Sequence, residues 1–288
     1  MNCPACDSTL SRPLSQINGY TMRLCSACGL RFSDPMVAGT ESWYRQSDLY
    51  TRKKPNRIKY WASVQALALP GKSVFDVGCG TGEFLYWAMR SGRRVGGCDF
   101  NQQNIESARE SLGLTGLHVG DANQLNLGER FDLVTLFEVL EHLADPVEAL
   151  RSLRRFIQPG GRLAISVPCY ERWPRLFDDY ADSPPHHLTL WTPAALEACL
   201  QRAGFDVIGV QRKPLQVTDI GGHLKWRLRR VLRGNAPAPQ SSAPTKAPNI
   251  LTKGNGLFAA LLAPVCWSMR LYPRAGSFTL LGVAHPRP

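Results

Sequence analysis

Ser73-Val-Phe-Asp-Val-Gly78-Cys-Gly80-Thr-Gly82 is the stretch from which the fold follows. Ser73 to Gly78 reads as a buried strand, because its apolar residues run almost without a break. Cys79 to Gly82 reads as a tight turn into a helix carrying Phe84, Leu85, Ala88 and Met89. Glycines in such a turn let the backbone pass close to a ligand and aim its amides at it. A second strand, Arg94 to Asp99, ends in an acid 21 positions after Gly78, suited to both hydroxyls of a ribose. The loop is G-x-G-x-G and not the dinucleotide G-x-G-x-x-G, so a helix end aimed at pyrophosphate is less clearly built. Asp76 sets a carboxylate beside the loop, where an amine or a sulfonium suits it better than a phosphate. A third short strand leads to Gly120-Asp121-Ala122, where Asp121 either accepts from an adenine amino group or caps a turn.

Downstream the same alternation continues, the mark of a parallel sheet flanked by helices. Asp145-Pro146 opens a helix that Pro159-Gly160-Gly161 stops, and Leu163 to Val167 reads as a fifth strand. Thr192-Pro193 opens another helix, which ends near Gly204, and Phe205 to Val210 is a sixth strand. Phe75 to Gly82, Asp99, Asp121 and Phe131-Asp-Leu-Val-Thr-Leu-Phe-Glu-Val-Leu-Glu-His142 together resemble the successive motifs of class I S-adenosylmethionine-dependent methyltransferases. The resemblance covers about Ser73 to Val210 and a last strand. It implies an α/β, Rossmann-like sheet of seven strands whose last is antiparallel, a part that Ser277 to Ala284 suits. It also implies that Asp76, Gly78, Gly80 and Gly82 hold the methionine part of S-adenosylmethionine. Asp99 and Phe100 would then meet the ribose, Asp121 and Ala122 the adenine, and Glu138 the cofactor as well.

Ahead of this unit lie two C-x-x-C pairs, Cys3/Cys6 and Cys25/Cys28. Four thiolates on two short turns suit tetrahedral zinc. Both pairs resemble the knuckles of a zinc ribbon, with Pro4 and Gly29 at the bends and Tyr20 to Leu24 as a short strand. A closed four-Cys site is structural, and about 30 residues need the metal's binding energy to fold. The start of the chain has no apolar stretch of signal-peptide length, so export is not expected. Its nine cysteines then favour thiols and metal over disulfides, and the cytoplasm is the expected compartment. The expected organisation is a ribbon over 1–40 and a helical linker or lid over 41–72, with Trp43, Tyr44, Arg45 and Tyr50. The cofactor domain takes 73–211 and 277–288, and a basic insertion takes 212–276.

Glu138, Glu141 and His142 share a face if a helix starts there, and Pro184-Pro185-His186-His187 follows the fifth strand. One reading makes His142, His187 or His186 a general base oriented by a Glu. A second follows from the E-x-x-E-H spacing, which resembles metal-dependent relatives that methylate quinone rings or small-RNA 3′ ends. It implies a divalent metal such as magnesium on Glu138, Glu141, His142 and His187. Packing or capping is the third role.

Net charge is +11, and from Arg212 to Gly276 eleven Lys or Arg face one acid, Asp219. His223 to Arg233 is a basic amphipathic helix, Asn235 to Pro248 a linker, and Leu257 to Leu271 an apolar, Trp-bearing segment. The apolar run Leu257 to Ala263 is too short to span a bilayer. This insertion therefore reads as a contact with an anionic membrane, a cover over a lipid-like substrate, or a solvated face with a lid on its own core. Aromatic interleaving is sparse, which disfavours nucleic acid. The expected function is methyl transfer to a hydroxyl or carbon of a lipid-linked, quinone-like or sugar acceptor. An RNA methyltransferase and a non-catalytic module binding cofactor and partners are the rival readings.

Overall fold

The structure, a computed structural model, describes residues 1–39, 60–171, 183–214 and 279–287. The expected lid around Trp43 to Tyr50 lies outside these residues. So do the expected helix His223 to Arg233, the segment Leu257 to Leu271, and Ser277 and Phe278.

A seven-stranded sheet is built on β4 (Ser73–Val77), all five residues of which are buried. Parallel to it run β5 (Arg94–Asp99), β6 (Leu117–Val119), β7 (Phe131–Phe137) and β8 (Ile157–Pro168). The edge beyond β8 is antiparallel and made of β10 (Phe205–Arg212) and β11 (Thr279–Pro286). The order is β10-β11-β8-β7-β4-β5-β6, with the last strand inserted between two earlier ones. This is the Rossmann-like methyltransferase sheet that the motifs imply.

Period-two alternation along each strand feeds two cores. Val74, Leu133, Ala164 and Leu281 pack on one face with α1 (Trp61–Leu67), α2 (Glu83–Arg90) and α3 (Gln102–Leu112). Phe75, Val134, Ile165 and Leu280 pack on the other with α4 (Pro146–Leu153) and α5 (Pro193–Arg202). Phe75 stacks against Phe131 at 5.1 Å and Phe156 at 5.4 Å between ring centres, which anchors the second core under the central strand.

Two local expectations shift. The helix opened by Asp145, whose Oδ1 accepts from the Glu148 amide at 3.0 Å, already ends at Leu153. A 3₁₀ turn over Arg154–Phe156 follows, and β8 starts at Ile157, so Pro159-Gly160-Gly161 lies inside a strand. Second, no α-helix carries Glu138, Glu141 and His142. The backbone turns left-handed at Glu138 (φ 55°) and makes one 3₁₀ turn over Leu140–His142.

The N-terminal residues form a smaller antiparallel sheet from β1 (Ser11–Ile17), β2 (Tyr20–Cys25) and β3 (Arg31–Asp34). Its fourth strand, β9 (Thr189–Leu190), comes from the larger unit and pairs with β3. Cys3, Leu30 and Phe32 share a core with Leu196 and Cys199 of α5. Thr192, the N-cap of α5, joins the two units: its hydroxyl accepts from the Ala195 amide at 3.0 Å and donates to the Cys28 carbonyl at 2.7 Å. Among the described residues no helix is long and apolar enough to cross a membrane.

Thr192→Ala removes a cap and a buried interdomain hydrogen bond together. A loss of about 2 kcal/mol in unfolding free energy is expected, read from the denaturant midpoint at unchanged slope.

Candidate functional site

The order of the parallel strands reverses between β4 and β7, and in open α/β sheets ligands bind outside the carboxyl ends at that point. The glycine loop leaves β4 there, and its three glycines do different work. At Gly78 (φ 71°) a Cβ would sit 2.4 Å from Val139 Cγ2, and at Gly82 (φ 77°) it would sit 2.5 Å from Leu114 Cδ1. Those two permit packing. Gly80 (φ 53°) has nothing within 4 Å of where a Cβ would stand, so it faces open space. Its amide donates to Asp99 Oδ2 at 2.8 Å, and Asp99 Oδ1 accepts from the amide of Asn101 at 2.8 Å and from Asn104 Nδ2 at 3.4 Å. Burial raises the Asp99 carboxyl above its ordinary range, and the three donors work against that rise.

Asp76 is buried in β4, and Thr135 Oγ1 donates to it at 2.6 Å. Burial pushes its carboxyl up to about 7; the Thr135 bond works against the rise and the charge of Asp99 adds to it. A carboxylate so placed is stabilised by a cation, which fits the sulfonium and ammonium of S-adenosylmethionine. Phe100 offers a ring that is 41% exposed beside Asp99. Asp121 caps the turn Ala122–Gln124, with Oδ1 accepting from the Asn123 amide at 2.9 Å, while Ala122 is buried.

On the turn after β7, Glu138 points to two residues that the sequence did not single out. Its carboxylate accepts from the Tyr60 hydroxyl, and from Ser166 Oγ at 3.0 Å, while Tyr60 and Ser166 meet at 2.8 Å. Burial and the Glu138 charge hold the Tyr60 phenol well above its usual range. A serine at a buried position of an apolar strand was the available signal, since a buried hydroxyl needs a partner.

Three residues on, a second group forms. The ligand nitrogens of His142, His186 and His187 all lie within 4.8 Å of one another. His142 Nδ1 donates to the His186 carbonyl at 2.6 Å; a carbonyl only accepts, so Nε2 is the lone-pair nitrogen of a neutral His142. Glu141, wholly buried, has Oε1 at 3.9 Å from His142 Nε2 and 3.8 Å from His187 Nε2. Burial, then the charges of His187 and His186, push His142 down to about 3. Of the residues expected to share a divalent metal, the structure gathers Glu141, His142 and His187, adds His186, and leaves Glu138 with Tyr60 and Ser166. The left-handed turn at Glu138 separates them. Three imidazoles and a carboxylate fit a borderline transition ion, whereas magnesium prefers an all-oxygen shell.

The other ligand group among the described residues is Cys3, Cys6, Cys25 and Cys28. Sulfurs meet at 3.6 Å in the pairs Cys3–Cys28 and Cys6–Cys25, near the ~3.8 Å that a tetrahedral zinc with ~2.3 Å bonds requires. The two knuckles match in backbone. The Cys3 amide donates to the Ser8 carbonyl and the Cys25 amide to the Leu30 carbonyl, both at 2.9 Å. Asp7 (φ 64°) takes in the first the left-handed place that Gly29 (φ 77°) takes in the second. The Cys3 and Cys28 sulfurs share a hydrogen bond, which lowers the Cys3 thiol to about 5 and, with burial, raises Cys28.

A family model described as a methyltransferase domain matches residues 50–210. An uncharacterised 37.1 kDa protein in a Streptomyces fradiae transposon is 38% identical over 122 residues, 40% of this chain and 34% of that protein. A ubiquinone biosynthesis O-methyltransferase of Stutzerimonas stutzeri is 30% identical over 131 residues, 43% of this chain and 56% of the relative. The chain thus spans about a third to just over half the length of these curated relatives. A solved structure of the Haemonchus contortus phosphoethanolamine N-methyltransferase 2 with S-adenosyl-L-methionine aligns at a TM-score of 0.51 and 18% identity. It covers 86% of this chain and 58% of its own, and shows the likeness of fold.

Gly80→Ala is expected to fold with a loss of about 1–2 kcal/mol, the ordinary cost of a left-handed alanine, and to weaken cofactor binding about tenfold in calorimetry. Gly78→Ala is expected to compromise folding itself, since Val139 blocks its Cβ. The raised Asp76 carboxyl favours the protonated folded state. Its contribution to stability is therefore full below the ordinary 3.8 and is lost as pH rises through about 7. Asp76→Asn is expected to flatten that fall in the ligand-free protein, as followed by denaturant unfolding at several pH values, and to weaken binding of the cationic cofactor.

Proposed function

Because the chain belongs to the family of methyltransferase domains, we propose that it moves the methyl group of S-adenosylmethionine to a hydroxyl of a small quinone-like or lipid-linked acceptor. The observation that carries this reading is the meeting of two groups at the strand-order reversal. Gly80 and Asp99 form the cofactor side; Glu138 and His142 stand on the neighbouring turn, and His186 and His187 pack against His142 from the segment after β8. Similarity to ubiquinone biosynthesis O-methyltransferases supports an oxygen acceptor on a ring.

S-adenosylmethionine supplies, when bound, a methyl group on a sulfonium that is open to in-line attack. Asp99 takes the ribose, with Phe100 beside it, and Asp121 and Ala122 face the adenine. Asp76 and Glu138 give the sulfonium end a negative wall, and Tyr60 and Ser166 hold Glu138 in that pose. His142, His186 and His187, backed by Glu141, face the acceptor and direct the loss of its proton. They would hold a divalent transition metal, which lowers the pKa of a bound hydroxyl. Cys3, Cys6, Cys25 and Cys28 take a structural zinc. The eleven basic residues from Arg212 to Gly276 support a lipid-linked acceptor met at an anionic, cytoplasmic membrane face.

The test is transfer of labelled methyl from S-adenosylmethionine into fractionated host extract. Label is expected in the organic phase, lost with Asp99→Ala, whose cofactor affinity should fall about tenfold or more. It is also expected to fall on chelation and with His142→Ala. Label in aqueous sugars or RNA would overturn the acceptor class. Absence of label despite cofactor binding would overturn the activity.

A further inference from the structure

The four-cysteine unit touches the larger domain at α5, where Arg202 donates to the Pro4 and Ala5 carbonyls at 3.2 and 3.1 Å, and along the segment that carries His186 and His187. Leu188, fully buried, is bonded on both sides. Its carbonyl accepts from the Ser33 amide of β3 at 2.8 Å, and its own amide donates to the Glu141 carbonyl at 2.8 Å. The next two residues pair with β3 in the register Arg31↔Leu190 and Phe32↔Thr189. On the N-terminal side, Asn18 Nδ2 donates to the Pro184 carbonyl at 2.9 Å from the tip of the β1–β2 hairpin. On the C-terminal side, Thr192 donates to the carbonyl of Cys28, a ligand-set residue. The histidine pair is thus flanked by ribbon contacts at 184, 188–190 and 192. It is tied to the larger domain by the turn Glu141–His142, through Leu188 and the His142–His186 bond, and by Trp191, whose amide donates to the Pro168 carbonyl at 3.3 Å and whose carbonyl accepts from the Tyr170 amide at 2.7 Å.

We propose that the N-terminal unit is a positioning element for the histidine centre: Asn18, Ser33 and the Cys28 carbonyl set segment 184–192, so that metal loading of the four cysteines governs the placement of His186 and His187. The proposal rests on the reading of the histidines as the acceptor-side centre, but its geometry can be tested apart from that. A four-Cys knuckle needs its ion to hold shape. The edge of β3 is then a rigid template, and β9, of two residues, is too short to hold a register by itself. Among the described residues the glycine loop, which leaves β4, has no backbone hydrogen bond to β3.

The test uses the full chain, zinc-loaded, with ¹⁵N-labelled histidine. Ser33→Pro removes the amide that binds Leu188 and places a ring against its carbonyl, while the β2–β3 ladder keeps its own bonds. Asn18→Gly removes the Pro184 contact and preserves the turn, since both central residues there have positive φ (52° and 83°). In the double variant, zinc content and S-adenosylmethionine affinity are expected to stay within about twofold, below the effect of one hydrogen bond. The hydrogen-bonded Nδ1–H signal of His142 should be lost, and exchange of the Leu188 amide should rise about tenfold. Asn18→Gly alone should move both readouts in the same direction, which keeps the test open if the proline variant does not fold. A folded, zinc-replete variant with both readouts unchanged would overturn the proposal. Loss of both with methyl transfer intact would uphold the positioning role and overturn the acceptor-side reading of the histidines.

Discussion

Gly78 and Val139 stand so close that a single Cβ would put them 2.4 Å apart, and much of the site follows from that contact. It presses the loop after β4 against the turn after β7, across the point where the strand order reverses. The glycine loop and the E-x-x-E-H turn are therefore one packed piece and not two neighbouring loops. On this turn the chain leaves β7 through a left-handed Glu138, a conformation that costs about 1–2 kcal/mol for a residue with a side chain. That strain is offset by the Glu138 amide bond to the Ser166 carbonyl and by the side-chain bonds to Tyr60 and Ser166.

The same turn divides the chemistry. Glu138 faces the sheet side with Tyr60 and Ser166, and Glu141 and His142 face the loop with His186 and His187. Charged and polar groups are thereby buried in two separate lots, the first held by donors from Tyr60 and Ser166 to Glu138. The small N-terminal sheet extends the second lot outward, because β9 is at once the end of the histidine segment and the fourth strand of that sheet. Its core is continuous with the α5 side of the large sheet, so the four cysteines are tied to the site through packing as well as hydrogen bonds.

Much was legible because it is local. The strand bounded by Ser73 and Val77, the acid ending Arg94–Asp99 and the caps at Asp145 and Thr192 depend on neighbours within a few residues. The two C-x-x-C pairs are equally local, and each knuckle closes on its own backbone. Tyr60 and Ser166 were not legible: they are 106 residues apart and come together only when β8 lies beside β7 and α1 packs under it. The extent of β8 was misjudged for a related reason. Pro159-Gly160-Gly161 carries every local mark of a stop, and it makes an irregularity in the register between Ile157 and Arg162, both of which pair with β7, so the strand runs on past it.

By itself the sequence determined the fold class, the family resemblance, the glycine turn after β4 and the grouping of the four cysteines, since periodicity, glycine placement and short ligand spacing are properties of contiguous residues. Only the tertiary structure decided that Glu138 parts from Glu141 and His142. It alone decided that His186 joins His187 at His142 and that an N-terminal strand holds the segment carrying both. Those outcomes hang on a left-handed turn and on hydrogen bonds between distant residues, 44 positions apart for His142 and His186 and 166 for Asn18 and Pro184. Contacts of that range are set by how the layers close on each other, and no window of sequence contains them.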